Sequence, residues 1–244
     1  MIRIILVLLF VILFLIAGIP LLAVEWLIGR RHPQAAAISQ LRIVQWMFRF
    51  ILFICGTKLT VIGEEHVPRD IPVLYIGNHK SYFDILITYS RCPGLTGYIA
   101  KDNLARIPLL SVWMRRLNCL FLDREDIKEA LKTILAGIDN IKNGISMCIF
   151  PEGTRNTTDE QMLPFKEGSF KMAEKTGCPI IPMAITNSAE IFENHLPRIK
   201  TAHVILEYGA PIYPTELDKD TKKKLGAHCR NIIKDMLDTH QAML

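Results

Sequence analysis

The chain lacks the arrangements from which several common functions would be read. Its six cysteines lie far apart, at Cys55, Cys92, Cys119, Cys148, Cys178 and Cys229, with no C-x-x-C pair. That spacing supports neither a disulfide framework nor a zinc site, and no metal is expected. Several sit inside apolar runs and read as small buried hydrophobes in a reducing compartment. There is no G-x-S-x-G elbow and no cysteine adjacent to a histidine in the motif regions, so a covalent intermediate on the protein has no obvious nucleophile. Internal repeats and low-complexity stretches are missing as well. A net charge of +5 suits anionic headgroups or phosphorylated substrates. Without zinc-finger spacing or a recognition-helix pattern, nucleic acid is not expected as a partner.

Charge is what the front of the chain lacks. Residues 4–24, "IILVLLFVILFLIAGIPLLAV", carry none and are about long enough to cross a hydrocarbon core of roughly 30 Å as a helix. The run exceeds the apolar core of a cleaved signal peptide. The next stretch, residues 35–58, sets Ser39, Arg42, Gln45 and Arg49 three, three and four residues apart, which makes one polar stripe on an otherwise apolar helix. Such a helix suits a lipid surface; a second span, or a helix packed on the rest of the protein, fits the same pattern. Gly18 and Pro20 would also allow the first helix to re-enter rather than cross. Lysines and arginines follow the apolar run in quantity and only Arg3 precedes it. That bias predicts a cell-membrane location with the bulk of the chain on the cytoplasmic side.

Beyond this front the chain alternates strand-length apolar runs with helical patterns. "IPVLYIG", "LTGYIAK", "CLFLD", "ISMCIF", "PIIPMAI" and "HVILEYG" read as strands, after a first short one in "GTKLTVIG". "SYFDILITYSR", "NLARIPLLSVWMRRL", "REDIKEALKTILAGIDNIKN" and "EGSFKMAEKTG" read as helices, and the tail from Thr215 as another. The expectation is an α/β fold: residues 1–58 form a membrane-associated two-helix element, and residues 59–244 a single domain with a mostly buried mixed sheet flanked by helices.

The chemistry gathers at strand ends. In "NHKSYFD", residues 78–84, His79 precedes Asp84 by five positions. In a regular helix they would point roughly 140° apart. They meet only if His79 lies in the turn leaving the strand and Asp84 in the first turns of the helix that follows. A carboxylate on Nδ1–H then leaves Nε2 free to take a proton from a hydroxyl. Ser81 is more simply a helix cap than a nucleophile, so the hydroxyl belongs to the substrate. Alone the pattern is weak, since this composition supplies about 0.3 such pairs by chance. A second element, "FPEGTRN" at residues 150–156, leaves another strand through a loop that exposes backbone N–H groups, and Arg155 adds a fork that matches phosphate. The bland alternative for Glu152 and Arg155 is a solvated ion pair. Lys101, Arg124 and Lys166 stand at other strand or loop ends. Side by side, these cations would line one mouth with His79, a site for an anionic substrate bearing a reactive hydroxyl.

"NHKSYFD", "KDNLARIP", "LFLDR", "FPEGTR" and "PIIPMAI" resemble, in order and approximate spacing, the four motif blocks of the glycerolipid acyltransferases, the family of 1-acylglycerol-3-phosphate acyltransferases. The resemblance covers roughly residues 60–190. It implies that His79 deprotonates the acceptor hydroxyl with Asp84 as its charge partner, and that the alkoxide attacks an acyl thioester directly. The donor would be acyl-CoA or acyl carrier protein as co-substrate, with no cofactor. The acceptor favoured is lysophosphatidic acid, giving phosphatidic acid; glycerol 3-phosphate or another lysophospholipid stays open. Lys101, Arg124 and Arg155 match basic positions associated with the acceptor phosphate, and Glu152, Gly153 and Thr154 belong to the acceptor-binding motif. Pro182 falls in the fourth block, linked to acyl binding or packing. Where the second block often carries glutamate, this chain has Asp102 and Asn103. Two other classes remain: a thioesterase using water as acceptor, and a non-catalytic lipid-binding membrane protein.

Overall fold

The seven apolar runs become seven strands of one sheet: β1 (Lys58–Ile62), β2 (Leu74–Gly77), β3 (Thr96–Lys101), β4 (Leu120–Leu122), β5 (Ser146–Ile149), β6 (Ile180–Thr186) and β7 (His203–Tyr208). A computed structural model, which describes residues 1–240 and 242–243, orders them β1-β7-β6-β2-β5-β3-β4. Among the described residues β6 and β7 are the one pair of strands that run antiparallel; every other strand pairing is parallel, so the sheet is mixed. Five neighbouring strands, from β6 to β4, therefore end at the same edge.

Helices cover both faces. α1 (Ile2–Gly29), α2 (Pro33–Cys55), α3 (Phe83–Tyr89) and α4 (Leu110–Arg116) lie on one side; α5 (Ile127–Lys142), α6 (Lys171–Thr176) and α8 (Leu225–His240) lie on the other. The short α7 (Lys219–Lys223) precedes α8. Strand residues alternate between the two cores with a period of two: Tyr75, Ile181 and Met183 join the first, and Leu74, Ile76, Ile180 and Ala184 the second. Burial on both faces is why these strands read as continuous apolar runs.

Local chemistry sets the helix ends. Asp126 caps α5 by accepting the Lys128 and Glu129 backbone N–H groups, and Asp218 caps α7 in the same way. α2 closes on Gly56, whose φ of 71° is left-handed, with the Thr57 N–H returning to the Leu52 carbonyl. Three helical readings need correction. Pro108 splits the stretch that begins at Asn103, because proline has no N–H and disfavours helix in the residue before it; a 3-10 helix (Asp102–Arg106) is followed by α4. "EGSFKMAEKTG" divides into a 3-10 helix (Glu167–Phe170) and α6. The tail begins its helix at Lys219 rather than at Thr215, and breaks once at Lys224.

The polar stripe of α2 turns inward. Gln45 donates to the Tyr89 and Cys92 carbonyls at 3.1 and 2.7 Å, and Arg49 reaches the Ser90 carbonyl at 2.8 Å. Arg42 reaches Gln45 and the Pro93 carbonyl, and Ser39 donates to Glu25 of α1. The stripe thus satisfies carbonyls left open at the end of α3, so α2 packs on the α/β unit. Its apolar remainder splits: Leu41, Val44, Met47, Ile51, Leu52 and Cys55 enter the core, while Trp46, Phe50 and Phe53 stay exposed. α1 packs one apolar side, from Ile4 to Leu22, against α2 and the core and leaves the rest of its apolar surface exposed. By length and composition both helices can cross a bilayer.

All six cysteines are buried and unbridged. Burial pushes the Cys92 thiol up to about 11 and the Cys119 thiol up to about 12, which keeps both as unreactive thiols.

Candidate active site

β2 ends at Gly77, and the next residue pins the strand end in place. The Asn78 side chain donates to the Ile185 carbonyl at 2.9 Å and accepts the Ile185 N–H at 2.8 Å, tying β2 to β6. His79 follows in the turn. Its backbone N–H donates to Glu152 Oε1 at 2.7 Å, and its carbonyl accepts the Asn156 N–H at 2.7 Å. The ring lies flat on Phe150, with centroids 4.3 Å apart and planes at 15°. Main chain and ring are therefore both held by the loop after β5.

Asp84 sits in the first turn of α3 and is fully buried. Its Oδ2 lies 2.8 Å from His79 Nδ1 and also accepts the Lys80 and Ser81 backbone N–H groups, each at 2.8 Å. An oxygen already accepting two N–H donors serves the ring as a third acceptor, so Nδ1 carries the proton and Nε2 carries the free lone pair. Nε2 has no hydrogen-bond partner among the described residues, and the His79 side chain keeps 13% of its surface exposed. Ser81 is otherwise engaged: its Oγ accepts the Phe83 N–H at 3.0 Å and donates to Glu193 Oε2 at 2.7 Å.

Glu152 does not face solvent. It is buried, with Oε1 on the His79 N–H and Oε2 on the Leu163 N–H at 2.8 Å. Burial raises its carboxyl above the ordinary value, and the two N–H bonds work against that rise. The Glu152–Arg155 ion pair weighed from the sequence does not form. Arg155 instead lies over the Tyr82 ring, 3.6 Å from its centroid, donates to Tyr82 Oη at 2.9 Å and meets Glu193 Oε1 at 3.4 Å. Its guanidinium has five donors, and these contacts leave some of them free.

Gly153 turns the loop with a φ of 75°, and its N–H returns to the Phe150 carbonyl at 3.0 Å. A Cβ there would lie 2.7 Å from Lys166 Nζ, so the Lys166 ammonium crosses directly over the turn. Thr154 is exposed beside it. Lys101 ends β3, and Arg124 follows β4 by two residues; the β3–β4 register sets Lys101 against Leu122. Both cations are exposed. Because β2, β5, β3 and β4 are neighbours in that order and parallel, the His79 turn, the Gly153 loop, Lys101 and Arg124 stand along one edge, where open α/β sheets hold ligands.

Phe150, Asn156 and Glu193 escaped the sequence reading as parts of this site. Glu193 comes from the segment after β6, 112 positions from Ser81, and binds Ser81, the Tyr82 N–H and Arg155 together. Nothing in its local sequence marks it. Phe150 and Asn156 stood inside the quoted loop, and the only available signal was their place beside it.

The arrangement leaves His79 Nε2 without a partner among the described residues, beside an edge rich in cations. A sequence profile described as "Acyltransferase" matches residues 58–186. A 1-acyl-sn-glycerol-3-phosphate acyltransferase of Saccharomyces cerevisiae is 31% identical over 215 residues, spanning 87% of this chain and 68% of the relative. One from Borreliella burgdorferi is 32% identical over 191 residues, with 77% and 75% covered. The crystal structure of the 1-acyl-sn-glycerophosphate (LPA) acyltransferase from Thermotoga maritima superimposes with a TM-score of 0.83 at 25% identity, over 98% of this chain and 96% of that one.

Proposed function

The chain belongs to the acyltransferase family, and from that premise we propose that it transfers a fatty acyl group to the sn-2 hydroxyl of 1-acylglycerol 3-phosphate, giving phosphatidic acid. The donor is an acyl thioester of coenzyme A or acyl carrier protein. His79 Nε2 removes the hydroxyl proton, and Asp84 steadies the imidazolium that forms. The alkoxide attacks the thioester carbonyl carbon; the tetrahedral adduct collapses, breaking the C–S bond, and the imidazolium returns its proton to the departing thiolate. Lys101, Arg124, Arg155 and Lys166 receive the acceptor phosphate. Gly153 and Thr154 shape the loop against the acceptor, and Glu152 acts by holding the His79 main chain.

The observation that carries this reading is the threefold acceptance at Asp84 Oδ2, which leaves Nε2 as the base. The α1–α2 element supports a place at the membrane: its exposed apolar surface is far larger than soluble monomers carry. The charge bias around it supports a cytoplasmic catalytic unit.

The test is an assay of the membrane fraction with labelled acyl-CoA and acyl carrier protein donors against 1-acylglycerol 3-phosphate, glycerol 3-phosphate and other lysophospholipids. The expected product is phosphatidic acid, and His79→Ala should reduce its formation by at least about 10³-fold while the protein stays folded and membrane-bound. Free fatty acid without diacyl product would make the protein a thioesterase. Equal rates in wild type and variant would end the catalytic reading altogether.

A further inference from the structure

At the opposite edge of the sheet from His79, the segments around the amino end of β2 and the end of α3 enclose a cavity of about 300 Å³. Four arginines line it: Arg42 and Arg49 from α2, Arg69 from the loop before β2, and Arg91 after α3. Glu64 is the lone carboxylate in the lining. It is spent on Arg91, which it binds through both oxygens. Arg49 and Arg42 rest on the Ser90 and Pro93 carbonyls, neutral groups that orient a guanidinium without cancelling its charge. Arg69 is exposed and makes no side-chain hydrogen bond among the described residues. Capping the end of α3 accounts for two of the arginines and the Glu64 pair for a third. Neither accounts for Arg69 or for the open space between them.

A second space adjoins the first. A groove of about 580 Å³ runs between α1 and α2, lined by Phe14, Leu21, Ile43 and Trp46 among others, and Arg42 borders both spaces. One end of the pair is therefore strongly cationic and the other apolar, joined at a single arginine. That is the shape and charge of an amphiphile with a phosphate head and a hydrocarbon chain. Guanidinium forks match phosphate oxygens in pairs, and the groove opens among side chains that water leaves poorly solvated.

We propose that this paired cavity and groove bind an anionic phospholipid of the surrounding membrane, with its phosphate among Arg42, Arg49, Arg69 and Arg91 and a chain along the α1–α2 groove. The site is separate from the catalytic edge and does not depend on which acceptor is acylated there. It ties the helical pair to the α/β unit through a lipid, as Gln45 does through hydrogen bonds.

The test titrates the full-length protein in detergent with dihexanoyl phosphatidylglycerol, dihexanoyl phosphatidylcholine and inorganic phosphate, following fluorescence from Trp46, which lines the groove. Phosphatidylglycerol should bind at least about tenfold more tightly than either alternative, the scale of one charge-assisted contact. Arg69→Glu should weaken it about tenfold, with Arg69→Ala in between and acyl transfer unchanged in both. Arg155→Ala should leave this binding intact. Equal affinity for phosphatidylcholine would remove the arginines from the interaction. Inorganic phosphate binding as tightly as the lipid would make the cavity a free-phosphate site and overturn the role of the groove. Loss in Arg155→Ala instead of Arg69→Glu would place the lipid at the catalytic edge, and that result also overturns the proposal.

Discussion

Asp84 carries three hydrogen bonds on one oxygen, and that concentration predicts how its replacement behaves. Asp84→Asn keeps the volume and, with its carbonyl oxygen in place of Oδ2, can keep all three hydrogen bonds, but it removes the negative charge beside the ring. The imidazolium that forms then lacks its counter-charge, and kcat should fall by roughly 10² to 10⁴ with KM little changed; kinetics on folded protein check this, and an unaltered kcat would remove Asp84 from the mechanism. Glu152 acts one step back. Glu152→Ala strips partners from the half-buried His79 and Leu163 N–H groups, so it should cost about 1–3 kcal/mol in urea unfolding as well as activity. Glu193 holds Arg155 and the start of α3 together. Glu193→Ala should raise KM for the phosphorylated acceptor about tenfold and lower kcat less; an effect on kcat alone would detach Arg155 from the acceptor. Of these residues His79, Asp84 and Glu152 were legible as candidates because they stand in short motifs at strand ends. Glu193 was not, since a contact across more than a hundred positions leaves no trace in local spacing.

At the scale of elements, the strands were the most legible part of the chain. The central strands, β2, β5 and β6, are buried on both faces and so are apolar along their length, and the strands are bounded by turn chemistry that the sequence displays. Helices were legible in place but not in number or extent, because Pro108 and the break at Lys224 interrupt patterns whose apolar spacing continues through them. The orientation of α2 was not legible at all. A polar stripe obeys the same periodicity whether it meets water, lipid headgroups or another helix. Only the open carbonyls at the end of α3 decide the matter, and Gln45 tests it. Gln45→Leu keeps the volume and leaves the buried Tyr89 and Cys92 carbonyls without this donor, which should lower stability by about 1–3 kcal/mol in detergent. No change in the denaturation midpoint would mean that the stripe merely passes α3.

For the whole molecule, α2 behaves as part of the core and not as a detachable anchor. Six of its apolar side chains are buried in the core on that side of the sheet, worth on the order of 10 kcal/mol in total at about 1.5–3 kcal/mol each. That equals the entire net stability of an ordinary domain. Removing residues 1–56 should therefore yield aggregated, inactive protein instead of a soluble catalytic unit, as judged by size-exclusion chromatography. A monodisperse, active truncation would show that the sheet stands without the helical pair.

What the sequence by itself determined was the list of parts: an uncharged front long enough for a bilayer, seven strands, and the motif residues at their ends. These follow from periodicity and turn chemistry, which act over a few residues. Tertiary structure alone decided which ends meet. The order β6-β2-β5-β3-β4 lines the His79 turn, the Gly153 loop, Lys101 and Arg124 along one edge and collects four arginines at the other. Strand order and helix docking are set by packing between distant segments, and that energy has no local signature.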